Sequence, residues 1–259
     1  MRKDYHIHQK VVLVPEKFEL FVKTALDKNI KEICITDHMP LSVSKTSDRI
    51  PDGMVGKYCS LVRELAKKYE DKICIRCGIE VDFHPSAVSE IESVLDKGDF
   101  DFILASSHMH VFITDYSAYT FNDFASASVE NSIKAAEMGI FHGISHPDMY
   151  RWVFENPQRF PLKNYGYDIF KHKALFDELL DKVAKNNMYF EINPHLAVKK
   201  QDITFVYPET PIVQWAIQKG VRFSYGSDAH NPDSVGAYLD ELEAHPLYGK
   251  ALKLWEKDA

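Results

Sequence analysis

Seven short runs of apolar and β-branched residues recur along the chain, and each gives way to a longer stretch whose apolar positions return every three or four residues. The short runs are Lys3–His8, Glu32–His38, Ile73–Phe83, Asp101–His110, Gly139–Asp148, Met188–His195 and Arg222–His230. Between them the spacing predicts helices over Pro15–Asn29, Val55–Tyr69, Pro85–Lys97, Phe124–Met138, Tyr167–Asn187 and Pro208–Lys219, with a last one near Pro246–Lys257. Several open on proline, which suits a first helical turn, and Gly139 and Gly220 stand where a helix should stop. Sevenfold alternation of strand and helix predicts a parallel sheet with right-handed crossovers. No Gly-x-Gly-x-x-Gly or phosphate-binding P-loop follows any run, so an open dinucleotide-binding sheet has no support. A seven-stranded β/α barrel, TIM-like but distorted, is the preferred α/β architecture, because polar residues gather at the C-terminal ends of the runs and those ends meet at one mouth in a barrel.

Those ends read His6-Ile7-His8, Asp37-His38, Glu80-Val81-Asp82, His108-Met109-His110, His146-Pro147-Asp148, Glu191-Ile192-Asn193 and Asp228-Ala229-His230. In a strand, residues two apart share a face, so His-x-His, Glu-x-Asp and Asp-x-His would each send two side chains inward. The chain has 12 histidines, and five of the seven ends carry one, which random placement explains poorly. Imidazole and carboxylate are ligands that suit Zn²⁺, Mn²⁺ and Fe²⁺, and one carboxylate can bridge two ions. Two such ions can clamp a phosphate, acidify water and stabilise the attacking and leaving oxygens together.

Composition narrows the picture. With 259 residues and 45% hydrophobic side chains, the chain can bury one sizeable core, and a single domain over 1–259 is expected. A net charge of −7 without a basic patch argues against long nucleic acids but leaves room for a small anion at a metal cluster. Neither a secretory leader nor a membrane-spanning segment is evident, and the four cysteines read as buried, reduced thiols, so a cytoplasmic protein is expected. Neither an Asp-x-Asp-x pattern nor a Cys-x5-Arg loop is present to suggest a covalent phosphoenzyme.

His6-x-His8, Thr36-Asp37-His38, Gly78-Ile79-Glu80-Val81-Asp82, Ser107-His108, Ser145-His146-Pro147-Asp148 and Gly226-Ser227-Asp228-Ala229-His230 together resemble, in order, the motifs of the polymerase and histidinol phosphatase (PHP) family. The resemblance implies a metal-dependent phosphoesterase in which a metal-bridging hydroxide attacks phosphorus. It makes His6, His8, Glu80 and Asp228 ligands of one ion and Glu80, His108 and His146 ligands of a second. His38 and His230 correspond to ligands of a third ion or to groups that protonate the leaving oxygen, and Asp228 or His230 would manage the protons. Two or three divalent ions (Zn, Mn or Fe) are therefore expected. Asp37-His38-Met39-Pro40-Leu41-Ser42, Glu191-Ile192-Asn193 and Tyr207-Pro208 are similar to the histidinol-phosphate phosphatase branch, which acts on a small phosphorylated metabolite. A nucleotide, a phosphotyrosine or a nucleic-acid end is the alternative substrate, and a metal-binding protein without turnover is the second alternative.

The chain departs from this pattern in two places. The family's third ion needs a histidine eight residues after His6, where this chain has Val14, leaving water or a residue such as Glu16 to complete the site. After Asn193 the chain has Pro194-His195-Leu196-Ala197-Val198-Lys199-Lys200 in place of a small glycine-containing loop. Arg151 and Lys199, on the loops after the fifth and sixth runs, are candidates to bind phosphate. His110 and His195 stand between a role supporting the ligands and a surface role, and His84, His172 and His245 read as capping or exposed residues.

Overall fold

The computed structural model describes residues 2–9, 13–44, 49–163 and 166–256, with side chains as far as Lys253. Seven strands are all parallel and lie in sequence order: β1 (Lys3–Ile7), β2 (Glu32–Ile35), β3 (Cys74–Asp82), β4 (Phe102–Ser106), β5 (Gly143–Ile144), β6 (Tyr189–Ile192) and β7 (Arg222–Tyr225). The ring closes just past the last strand. Ile7 bridges Ala229, the His8 N–H donates to the Ala229 carbonyl at 2.9 Å, and the Asp228 N–H donates to the His6 carbonyl at 2.8 Å. The result is a nearly closed barrel whose C-terminal strand ends face one mouth.

Helices cover the outside: α1 (Pro15–Asp27), α2 (Val55–Lys68), α3 (Val88–Leu95), α4 (Met109–Phe112), α5 (Phe121–Glu137), α6 (Tyr150–Phe154), α7 (Lys173–Lys185), α8 (His195–Lys200), α9 (Thr210–Gln218), α10 (Leu239–Ala244) and α11 (Tyr248–Glu256). α1 starts on Pro15 and buries Phe18, Phe21, Val22 and Ala25, one stripe at helical spacing. α5 begins in a capping box, with the Thr120 hydroxyl accepting from the Asp123 N–H and the Asp123 carboxylate accepting from the Thr120 N–H. It starts three residues before the sequence expectation for this reason. Gly139, just past α5, has φ +67°, a conformation that costs a side-chain-bearing residue free energy.

Several expectations change. The fifth run keeps only Gly143 and Ile144 as strand, because beyond them His146 has φ 22° and the backbone leaves the ladder. His110 lies in α4, so it does not share a strand face with His108. Asp228 and His230 lie beyond β7, and Asp228 is brought inward by a left-handed backbone (φ 53°) rather than by strand alternation. Cys74 is exposed, whereas Cys34, Cys59 and Cys77 are buried free thiols. His172 is buried between Ser126 and Asn122, while His84 and His245 cap short helical turns. Among the described residues no helix is long and apolar enough to cross a membrane.

Asp4 ties the closure together from inside. Its Oδ1 accepts from the Ser227 N–H at 2.8 Å and the His6 N–H at 3.4 Å, and its Oδ2 accepts from the Gly236 N–H at 3.0 Å. Burial lifts this carboxyl to about 6 against the pull of those donors. Truncation by Asp4→Ala leaves buried N–H groups without an acceptor and should destabilise the protein by on the order of 3 kcal/mol. Because the folded pKa lies above the unfolded one, the Asp4 contribution is greatest in acid and falls as pH rises through about 6. Urea denaturation of both proteins should show a larger stability difference at pH 5 than at pH 8, and an equal or inverted difference would refute this account.

Candidate metal centre

Glu80, at the inner C-terminal end of β3, lies among five imidazoles. Its Oε2 is 3.3 Å from His6 Nε2, 3.3 Å from His8 Nε2 and 3.1 Å from His38 Nδ1. Its Oε1 is 2.9 Å from His146 Nε2 and 3.8 Å from His108 Nε2. The two oxygens thus face two different histidine sets. Asp228 Oδ1 completes the first, 3.4 Å from His8 Nε2 and 4.0 Å from His6 Nε2. All these residues are at least nine-tenths buried.

Two further carboxylates orient the rings. Asp82 Oδ1 is 2.7 Å from His108 Nδ1 and 3.2 Å from His38 Nδ1. Glu191 Oε1 is 2.7 Å from His6 Nδ1, while its Oε2 accepts from the His146 N–H at 2.8 Å and from Asn193 Nδ2 at 2.9 Å. Neither residue belongs to the ligand sets expected from the sequence, although both stand at strand ends, the position that marked the candidate ligands.

These residues fit divalent ions. His8 Nδ1, His108 Nε2 and His146 Nδ1 are buried without a hydrogen-bond partner, a costly state for a polar atom. His6 Nε2 and His8 Nε2 lie 2.9 Å apart, so at least one presents a lone pair to its neighbour. Ligands ~2.1 Å from a tetrahedral ion sit ~3.4 Å from one another, close to the spacing of His6, His8, Glu80 and Asp228. Ligand atoms within 4.8 Å of one another also occur in the sets His6/Glu80/His146, His38/Asp82/His108, His8/His38/His230 and His195/Asp228/His230.

The electrostatics favour cations. Burial opposes the charge on Glu80, but His38, His6, His108 and His146 hold its carboxyl well below the usual range. Asp82 and Asp228 are held low in the same way, by His38 and His108 and by His195 and His6 respectively, each against burial. Burial also opposes a proton on His6, yet Glu191, Glu80 and Asp228 raise it well above its ordinary value. Glu80 and Asp82 set His38 at about 9 against the same burial. His230 goes the other way, to about 3, through burial and the neighbouring His8.

A cavity of about 520 Å³ opens over Glu80, His108, His146, Asp228 and His230, with Tyr116, Trp152, Phe160, Arg159 and Lys199 in its walls. Lys199 Nζ lies 5.6 Å from the Trp152 ring centre, and the Arg159 guanidinium 5.3 Å from it on the same wall. Arg151 does not line this cavity. Its guanidinium bonds Asp148 Oδ2 (3.3 Å), Glu209 Oε1 (3.0 Å) and the Val206 carbonyl (2.9 Å). Val14 is half-buried, its carbonyl accepting from Gln9 Nε2 at 3.1 Å, and Glu16 is exposed. Residues 10–12 of that loop lie outside the described residues. A cavity of similar size, about 510 Å³, is lined by Arg2, Lys31, Lys253 and Leu252 and holds no such ligand set among the described residues.

The PHP domain model matches residues 4–195. The chain belongs to the PHP domain family. It is 28% identical over 229 residues to a Deinococcus radiodurans protein named "Probable histidinol-phosphatase", covering 83% of this chain and 81% of that one. It is 26% identical to the histidinol-phosphatase of Bacillus subtilis, covering 93% and 98%. The fold is shared with the histidinol phosphate phosphatase of Lactococcus lactis, solved with zinc, L-histidinol and phosphate, at a TM-score of 0.73 and 20% identity over 99% of this chain and 93% of that one.

Two outcomes follow from the arrangement in this PHP protein. Because the neighbouring carboxylates hold His6 and His146 above their ordinary pKa values against burial, an ion bound there must displace protons. Calorimetry in buffers of different ionisation enthalpy should show proton release at pH 7, and affinity should rise with pH. Uptake without proton release would contradict these assignments. Glu191→Gln should weaken metal binding by ~10–100-fold, since the lost carboxylate orients His6 and anchors the His146 backbone, and unchanged affinity in a chelator competition would show that Glu191 does not set the ligand geometry.

Proposed function

We propose that this chain hydrolyses L-histidinol phosphate in the cytoplasm, releasing the alcohol and inorganic phosphate. The observation that carries the reading is the two-sided Glu80 carboxylate, with imidazole sets on both oxygens, beneath a cavity walled by aromatic and cationic side chains. The histidinol-phosphatase names of the relatives support the substrate within the family's metal-dependent phosphatase chemistry.

His6, His8, Glu80 and Asp228 would hold one ion and Glu80, His108 and His146 a second, with Glu80 between them. Divalent ions at these positions would offset phosphoryl charge and make water acidic enough to attack. The protein's own groups divide the proton work by environment. Asp228, at the mouth beside His8 and His230, is placed to take up a proton, and His38, with Nδ1 at 3.1 Å from Glu80 and 3.2 Å from Asp82, is placed to give one to the leaving oxygen. His230 stays neutral and keeps a lone pair for a proton or a cation.

Lys199 and Arg159 supply the cationic wall for phosphate, and Tyr116, Trp152 and Phe160 a surface for a flat ring. Arg151, committed to Asp148 and Glu209, is assigned to holding the loops after β5 and β6 together.

Phosphate release from a panel of monoesters tests the assignment. Histidinol phosphate should exceed glycerol phosphate in kcat/KM by about 10²-fold, chelation should abolish turnover, and Mn²⁺, Zn²⁺ or Fe²⁺ should restore it. Equal rates on both esters, a preference for nucleotides, or full activity in protein shown by elemental analysis to be metal-free would each overturn the proposal.

A further inference from the structure

Two cations line the cavity over the metal centre, and one indole holds both. Trp152 lies in α6, where its carbonyl accepts from Asn156 Nδ2 at 2.6 Å. Two rings meet it edge to face and fix its plane, His110 with centres 5.0 Å apart and Phe160 with centres 5.1 Å apart. Lys199 Nζ stands over the indole 5.6 Å from its centre, and the Arg159 guanidinium stands over it at 5.3 Å. The same guanidinium lies 5.1 Å from the Phe160 ring centre. Lys199 comes from α8, after β6, and Arg159 from the loop that follows β5 and α6.

A carboxylate is the other way to hold a cation, and near neighbours of both residues use it. Arg151 is committed to Asp148 and Glu209, and Lys200 Nζ pairs with Glu155 Oε2 at 2.7 Å. Neither of these lines the cavity, whereas Lys199 and Arg159 do. Among the described residues Arg159 has no carboxylate partner. The difference is electrostatic. A carboxylate neutralises the charge that it orients, while an aromatic face holds a cation by its quadrupole and leaves the net charge intact. An anion entering the cavity therefore meets cations already placed, with less side-chain freedom left to lose on binding.

We propose that Trp152 is the positioning residue of the anion subsite, holding Lys199 and Arg159 over the cavity with their charge intact and joining the segments after β5 and β6 into one phosphate-binding wall. This rests on the reading of the mouth as a phosphoester site but not on histidinol phosphate as the ester. It gives the indole a part separate from the surface it offers a flat ring, because it acts on the phosphate end of the ligand through the two cations. Lys199 lies in the segment where this chain departs from the family's glycine-containing loop, so that half of the wall cannot be carried over from the family pattern.

Binding of inorganic phosphate to the Zn²⁺-loaded protein, followed by calorimetry, tests the assignment without turnover. Trp152→Leu and the longer Trp152→Met should each weaken phosphate by about tenfold, the combined scale of two exposed cation–π contacts, and Trp152→Phe should fall between these and the unmodified protein. A thermodynamic cycle separates positioning from packing: in a background carrying Lys199→Gln and Arg159→Gln, the Trp152→Leu step should change phosphate affinity by less than about twofold. Absence of phosphate binding by the unmodified protein, unchanged affinity in a folded Leu or Met variant, or the full loss persisting in that background would each overturn the proposal. So would an effect confined to L-histidinol binding, which would show that the indole serves the ring alone. Efficient turnover of histidinol phosphate with no Trp152 effect on phosphate would refute the positioning role alone, and the expected phosphate series in a protein inactive toward that ester would refute the substrate alone.

Discussion

The mouth of this barrel is organised by the need to keep one buried carboxylate charged. Glu80 is 1% exposed, and burying an isolated carboxylate costs several kcal/mol even after the protein relaxes. The five imidazoles around it come from β1 and the chain just after it, and from the ends of β2, β4 and β5. They can meet at one carboxylate only if those strands converge. A flat sheet would leave the β1 and β7 ends a full sheet-width apart. Closure through Ile7 and Ala229, held by Asp4, is therefore a condition of the electrostatics as well as of the fold.

The imidazoles do not balance the cluster alone. Asp82, Glu191 and Asp228 add carboxylates to a volume already short of water, and His8, His108 and His146 each keep a buried nitrogen without a partner. Such an arrangement is expensive in isolation and favourable around cations, because metal binding satisfies both defects at once. Metal binding should consequently contribute to folding stability as well as to chemistry.

Much of this was legible in the sequence because both carriers are short-range. Strand period puts Glu80 and Asp82 on one face, and apolar alternation with helical spacing marks the seven units. Legibility ended where the backbone leaves regular structure. His110 belongs to α4, and Asp228 reaches the cluster through a left-handed residue that no period announces. Arg151 and Arg159 share one loop and one charge. The turn of α6 directs the first back onto Asp148, three residues earlier, and only the second lines the cavity. His195 could not be assigned from sequence either, since its partner is a carbonyl 33 residues further along the chain.

Strand β6 shows how tightly the two shells of this centre are coupled. Glu191 orients His6 across the barrel, holds the His146 backbone at a positive φ, and through Asn193 sets the start of the helix that carries His195. Space for that carboxylate is provided by Gly226, where a Cβ would collide with Glu191 Oε1 and the His6 side chain. The glycine before Ser227-Asp228 thus has a packing reason independent of conformational freedom, since its φ lies outside the left-handed region. One carboxylate with three acceptor contacts therefore links residues of the first two ligand sets to His195. A displacement at Glu191 would propagate to all of them together, which makes the cluster at the mouth a single unit.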